Sequence, residues 1–374
     1  MNDSHPPAAG PSSRIERLQR LLGEEERDAL LVTKLENIAY LTGFSGSAAM
    51  LLIDGTGAML TTDGRYTHQA EEELSARGIA AELVIGDGTR QFAALAGRLV
   101  RTKILGLEER AVTWSLAQRC EREFYPSLVP SSGLIERLRS TKDAAEIAVI
   151  SRACGIADEA LAAIRDRLSE GVVERDFAAE LDFTMRRLGA AGPSFTTIVA
   201  SGPRSALPHA RPSERRIVEG DLVVVDFGAL VDGYHSDMTR TFIIGEPTRE
   251  QERHYEAVRL AQEAGVAAVA PGVAARAVDL ACREVLVTFG LDAYFTHGTG
   301  HGVGLEIHEA PSVGSASADS LSEGMVVTVE PGVYLPGLGG VRIEDTLVVT
   351  SMGARLLTSA TKDYQLPWHF QRTI

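Results

Sequence analysis

Four acidic side chains lie inside stretches that read as buried β-strand, and this constrains the chain more than anything else in it. Asp226 follows Val223, Val224 and Val225; Asp237 precedes the run MTRTF; Glu330 ends MVVTVE; Glu344 lies in VRIED. A carboxylate taken out of water without a partner is costly, so a core in which all four converge needs cations. His301, set among Gly298, Gly300, Gly302 and Gly304, adds one imidazole. Two divalent metals roughly 3.5–4 Å apart satisfy such a set and form a known hydrolytic engine. Singly, each glutamate is an ordinary strand-end acid; its weight comes from the company it keeps. The donors are hard and rich in oxygen, suited to Mn²⁺, Fe²⁺, Co²⁺ or Zn²⁺ more than to copper, with manganese or cobalt favoured.

Local signals arrange two of these acids. VVVDFGAL and YHSDMTRT flank Asp232-Gly233, a strong signal for a two-residue hairpin turn. That turn predicts Asp226 opposite Thr239 and Asp237 opposite Gly228. Both aspartates then share a face as diagonal neighbours, with backbones ~7–8 Å apart. Two solvent-facing acids on an edge hairpin are the alternative, which the valines before Asp226 weaken. His301 and His308 are seven apart and point to opposite faces of a regular strand, so one site for both requires a turn or bulge near Gly302 or Gly304. His297 and His301, four apart, share a face. No complete GxGxxG occurs in this run, which leaves phosphate binding weakly supported; alternate glycines instead predict a bare strand face for a ligand's backbone.

The rest of the chain reads as two domains, the ordinary expectation for 374 residues. Residues 1–13 read as a disordered tail, with neither the basic start nor the apolar run of a signal peptide. From 14 to 140 strand-like runs (DALLVT, AAMLLID, GAMLTTD, AELVIG, KILGLE) alternate with helical stretches, giving an α/β domain. From 141 to 374 long amphipathic helices enter: Ile147, Ile150, Cys154, Ala157, Leu161 and Ile164 recur at steps of three and four. Thr248 and Gln251 form a capping box. Gly171-Val-x-x-Arg175 runs to Gly189 as Gly272-Val-x-x-Arg276 runs to Gly290, which suggests two related halves around a site; chance likeness of amphipathic helices is the alternative. A net charge of −14 argues against nucleic acid or an anionic membrane as partner. Three scattered cysteines fit a reducing compartment. The apolar run AGVAAVAPGVAA is broken by Pro271 and falls short of the ~20 residues of a membrane span. A soluble, cytoplasmic protein is expected.

The order Asp226, Asp237, His301, Glu330, Glu344, with His209 in SALPHA and the run HGTGHGVGLEIHEAP, closely resembles the metallopeptidases that include aminopeptidase P, prolidase and methionine aminopeptidase. TGFSGSAAMLLI and TTDGRY resemble the extra N-terminal domain of the aminopeptidase P, prolidase and creatinase branch. The resemblance implies an α+β "pita-bread" C-terminal domain with pseudo-two-fold halves around a dinuclear site, behind an α/β creatinase/prolidase-like domain. It implies that Asp237 and Glu344 bridge two metals, that Asp226 completes one, and that His301 and Glu330 complete the other. His209 and His308 match active-site histidines, His297 a substrate-side histidine and Arg342 a supporting arginine. A homodimer is implied in the same way.

On that basis the expected reaction is hydrolysis of the bond between an N-terminal residue and proline. Glu330 would shuttle the proton, His308 would stabilise the oxyanion, and His209 would contact the proline side. Some dipeptidases of this branch carry an arginine four residues after the equivalent of His308. Ser312 stands there, which tips the expectation toward an Xaa-Pro aminopeptidase acting on longer peptides, with an Xaa-Pro dipeptidase as the alternative. A non-catalytic peptide-binding module of the same fold is the rival from another class; it should have lost ligands, and all five are present.

Overall fold

The computed structural model describes residues 11–366, which divide into two compact units between Arg139 and Ser140. Of the tail expected over 1–13, the first ten residues lie outside the described residues. Pro11–Ser13 instead open helix α1 (Pro11–Glu24), where proline at the first helical position loses no hydrogen bond. No helix among the described residues is long and apolar enough to cross a membrane.

The first unit continues with β1 (Ala29–Val32), α2 (Leu35–Thr42), β2 (Ala49–Asp54), β3 (Gly57–Thr62), α3 (Thr67–Ala76), β4 (Ala81–Ile85), α4 (Gly88–Arg98), β5 (Ile104–Glu108), α5 (Trp114–Glu123), β6 (Ser127–Ser131) and α6 (Leu134–Ser140). Its strands form one mixed sheet in the order β4-β3-β2-β1-β5-β6. Leu31, Leu52, Met59 and Leu105 pack with Phe92 and Leu95 of α4 on one face. The five strands predicted here all form; the sixth, SLVPS, carries Pro130, which removes a ladder donor and confines it to the edge.

The second unit opens with α7 (Ala144–Ile164) and α8 (Glu174–Arg187), followed by β7 (Gly192–Pro193), β8 (Ile198–Ser201), β9 (Leu222–Phe227), β10 (Ala229–Val231), β11 (Tyr234–His235) and β12 (Met238–Ile243). A second helix pair, α9 (Arg249–Ala268) and α10 (Ala275–Thr288), leads into β13 (Gly300–Gly302), β14 (Glu309–Val313), β15 (Val326–Val329), β16 (Gly332–Leu335), β17 (Gly339–Arg342), β18 (Asp345–Thr350) and β19 (Gly353–Leu356). Both long helices start on side-chain capping boxes, Asp143 with Glu146 and Thr248 with Gln251. Each helix pair buries its apolar stripe on its own strands. Leu161, Phe177 and Leu181 meet Val223, Val225 and Phe227, while Val258, Val278 and Leu286 meet Val327, Val329 and Leu347.

The two halves echo each other in backbone detail. Gly171, Gly189, Gly272 and Gly290 all adopt positive φ, at 86°, 110°, 81° and 66°. Gly171 N–H donates to the Ile217 carbonyl and Gly272 N–H to that of Leu321, both at 2.8 Å, and each acceptor residue returns a bond to the residue after its glycine. The repeated Gly-Val motif thus marks the same turn into the second helix of each pair. Strands from both halves, with α7 to α10 outside them, make the pseudo-symmetric pita-bread architecture that carries the clustered acids.

Candidate metal centre

Asp232 and Gly233 take φ of 48° and 83°, the left-handed pair that a tight hairpin turn demands. The register they impose puts Thr239 opposite Asp226 and runs unbroken to Leu222 opposite Ile243. Gly228 lets the strands close beside the site, because a Cβ there would lie 1.8 Å from the Ser236 carbonyl oxygen. On the other half, β13 pairs with β14 through a register shift between His301 and Gly302. This bulge brings the His301 and His308 rings to 4.3 Å, edge to face. The alternate glycines serve a purpose other than the expected one. A Cβ on Gly300 would lie 2.1 Å from the Thr328 carbonyl oxygen and one on Gly302 2.2 Å from that of Ala310. They admit neighbouring strands, and no face is left bare for a ligand's backbone.

Together the two halves converge on one floor. Asp237, His301 and Glu344 each offer a ligand atom within 4.8 Å of the others. His301 Nε2 lies 3.6 Å from Asp237 Oδ2 and 3.4 Å from Glu330 Oε1. His301 Nδ1 sits 3.0 Å from the Gly302 carbonyl, which selects the Nδ1–H tautomer and leaves the Nε2 lone pair facing the carboxylates. Glu344 Oε2 accepts from the Thr239 hydroxyl at 2.7 Å. Asp226 Oδ2 accepts from Arg342 Nη2 at 2.6 Å. Among the described residues, the remaining oxygens, Asp226 Oδ1 and Glu344 Oε1, are buried with no hydrogen-bond donor. Burial and the Glu344, Asp226 and Glu330 charges push the Asp237 carboxyl far above its usual range; burial and the Glu330 and Asp226 charges do the same to Glu344. Burial is also the main cause of the rise of Glu330 to about 7. Four carboxylates face one guanidinium here. Donorless carboxylate oxygens beside an imidazole lone pair fit divalent cations and fit little else.

Residues 148–351 match metallopeptidase family M24, and residues 14–141 match the creatinase/prolidase N-terminal domain. The chain belongs to family M24. It is 39% identical to the Xaa-Pro dipeptidase of Pyrococcus furiosus over 94% of this chain and 99% of that one. Among solved structures, the Xaa-Pro dipeptidase from Bacillus anthracis is 40% identical with a TM-score of 0.91, covering 94% of this chain and 99% of its own. The X-Pro aminopeptidase from Thermotoga maritima is 36% identical with a TM-score of 0.84, covering 93% and 98%.

Of the remaining predicted residues of this M24 chain, Arg342 and His297 are tied to the floor by hydrogen bonds, whereas His209 and His308 are exposed. Arg342 is buried, donating from Nε to the Thr239 hydroxyl, from Nη1 to Tyr334 OH at 2.8 Å and to the Pro208 carbonyl at 3.3 Å. The last bond ties down the loop that carries His209, an exposed residue. His297 lies outside β13, so no strand face relates it to His301. Its Nδ1 meets the Gly298 carbonyl at 2.7 Å and its Nε2 meets Tyr334 OH at 2.8 Å. Burial lowers it to about 4, so it is neutral with both nitrogens engaged. His308 is exposed, and burial of part of its ring, with the nearby His301 and His209, lowers its pKa as well.

Three supporting residues escaped the sequence reading: Thr239, Thr328, whose hydroxyl donates to Glu330 at 3.2 Å, and Tyr334. Two of them had a usable signal: Thr239 stands opposite Asp226 in the hairpin register, and Thr328 stands two residues before Glu330. Tyr334 had none.

Proposed function

We propose that this chain is an Xaa-Pro dipeptidase of the prolidase type, with two divalent metals, manganese foremost, held by Asp226, Asp237, His301, Glu330 and Glu344. The observation that carries the metal reading is the pair of donorless carboxylate oxygens, on Asp226 and Glu344, in the site where Nε2 of His301 is turned toward Asp237 and Glu330. The end-to-end likeness to Xaa-Pro dipeptidases outweighs Ser312, which favoured an aminopeptidase. Ser312 lies on β14 opposite His301, and its N–H donates to the Asp319 carboxylate.

Two divalent metals held by these residues would supply Lewis acidity that makes a water nucleophilic at neutral pH. The protein's own groups do the rest. Glu330, beside the attacking water, would take a proton from it and return it to the proline nitrogen, which has no N–H of its own. His308, neutral and at the mouth, donates to the developing oxyanion. His209, on the loop fixed by Arg342, meets the proline side of the substrate. His297 holds Tyr334 and through it Arg342, so its part is to shape the substrate wall. A homodimer and a cytoplasmic location belong to the same proposal, supported by the family resemblance and by three free, buried cysteines.

The test is to strip the protein with chelator, restore Mn²⁺ or Co²⁺, and compare Xaa-Pro dipeptides, Xaa-Pro-Yaa tripeptides and Met-Ala-Ser. Higher kcat/KM on the dipeptides supports the proposal. A clear preference for the tripeptides would return the assignment to an aminopeptidase. Methionine release with no cleavage before proline would sink both.

A further inference from the structure

Behind the metal floor, two neighbouring acids have opposite fates. Glu344 keeps one carboxylate oxygen without a donor, whereas Asp345 has none to spare. Asp345 Oδ1 accepts from Arg240 Nη2 at 2.8 Å and Thr358 Oγ1 at 2.9 Å; Oδ2 accepts from Gln262 Nε2 at 3.0 Å and Lys362 Nζ at 2.6 Å. Asp345 faces away from the site, into a buried ion pair with Arg240 in which each side chain is 1% exposed.

Arg240 is also saturated. Nε donates to the Ala360 and Thr361 carbonyls, Nη2 to Asp345 and the Ala360 carbonyl, and Nη1 to the main-chain carbonyls of Thr239 and Glu344. That last pair is informative. Thr239 and Glu344 come from different halves of the second unit, 105 residues apart, and the Thr239 hydroxyl holds the Glu344 carboxylate. One guanidinium therefore clips the backbone on which Glu344 stands to the strand that begins beside Asp237. A second clip, from Thr346 Oγ1 to the Asp237 carbonyl at 2.7 Å, lies next to it.

The segment that holds Arg240 comes from near the C-terminus. Its residues 357–364 cross behind both halves: Ser359 and Ala360 N–H groups donate to Asp158 on α7, Lys362 Nζ donates to Gln262 on α9, and Tyr255 of α9 donates to the Lys362 carbonyl. Three of the five Arg240 N–H groups have main-chain or side-chain partners that exist only while this strap is seated or while Asp345, which it holds, is in place.

We propose that Arg240, Asp345 and the strap form a positioning unit that sets the separation of the Asp237 and Glu344 carboxylates, and hence metal affinity, without touching metal or substrate. The inference rests on the metal reading above. Supporting groups of this kind carry ~10–100-fold in metal affinity. A lysine cannot replace Arg240, because one ammonium with three protons cannot span two carbonyls, a carboxylate and the strap.

The experiment is calorimetric titration of manganous ion alone into chelator-stripped, dialysed full-length protein at 25 °C. The unaltered chain is compared with Arg240→Lys and Lys362→Met, and circular dichroism confirms the fold of each. Arg240→Lys should raise the dissociation constant about 10-fold or more, and Lys362→Met, a milder change at a partly exposed site that leaves Gln262 on Asp345, about 3-fold or more. A purely structural role would lower melting temperatures and leave the affinity of the folded proteins unchanged. If Arg240→Lys fails to fold, Lys362→Met decides. Unaltered affinity in folded Lys362→Met overturns the proposal while the metal reading stands. No uptake by the unaltered chain overturns the metal reading and this proposal with it.

Discussion

Replacing Glu330 by glutamine should stabilise the metal-free protein at alkaline pH, the reverse of what removal of an ordinary buried polar partner does. Burial holds this carboxyl up at about 7 in the fold against 4.5 for an unperturbed glutamate. A carboxyl raised on folding gives no penalty below pH 4.5, where it is protonated folded or unfolded. The penalty grows as pH rises between 4.5 and about 7 and is complete above that. At about 1.4 kcal/mol per pH unit the ceiling is roughly 3 kcal/mol. Shared titration with Asp237 and Glu344 brings the expectation to about 1–3 kcal/mol. For a unit of this size, that moves the melting temperature by about 3–10 °C. The assay is scanning calorimetry in chelator at pH 5 and pH 8: Glu330→Gln should melt above the unaltered chain at pH 8, with the gap narrowing at pH 5. With saturating Mn²⁺ the order should invert, because the unaltered chain gains ligand stabilisation of about 3 kcal/mol at a hundredfold excess over its dissociation constant and the variant gains less. A variant that melts lower than the unaltered chain at both pH values in chelator would refute the claim that burial holds this carboxyl up in a site built for cations.

Asp237→Ala should abolish both turnover and manganese uptake, measured by activity and by metal analysis of desalted protein; retention of both would remove Asp237 from the site. His308→Ala should keep its metal and lose turnover by roughly 10² or more, and near-normal turnover would make the histidine structural only. In the first unit, burial opposes ionisation of Asp54, but hydrogen bonds from Arg98 and Thr56 hold its carboxyl down at about 2. This depressed group contributes stability above the ordinary aspartate pKa and loses it as pH falls from about 4 toward 2. Asp54→Asn should therefore cost about 1 kcal/mol at pH 7 and flatten that acid limb, read as faster amide exchange in the peptide spanning β2 and β3; unchanged exchange would mean the pair carries no stability.

Much of the site was legible because its signals are local. The Asp232-Gly233 turn sets the register of Asp226 by backbone conformation alone, and the parity of His301 and His308 required the bulge that the structure places at His301/Gly302. The capping box at Thr248 and the paired Gly-Val turns also followed from neighbours within a few residues. The edge strand with Pro130 was missed because its proline reads as a breaker until the sheet shows which side its missing donor faces.

What remained undecided concerned partners far apart in the chain. Nothing near Arg342 foretells that it bonds Asp226, 116 residues away, and Tyr334 at once. Likewise, nothing in the pair Glu344-Asp345 says which acid faces the metals. The pleat turns the two side chains to opposite faces, and tertiary packing then supplies one face with Arg240, Gln262 and Lys362 and leaves the other short of donors. Local sequence could single out these acids because burying acids among valines is costly wherever it occurs. Which of their oxygens stay free for a cation depends on donors delivered by other strands and helices, and only the closed fold settles that.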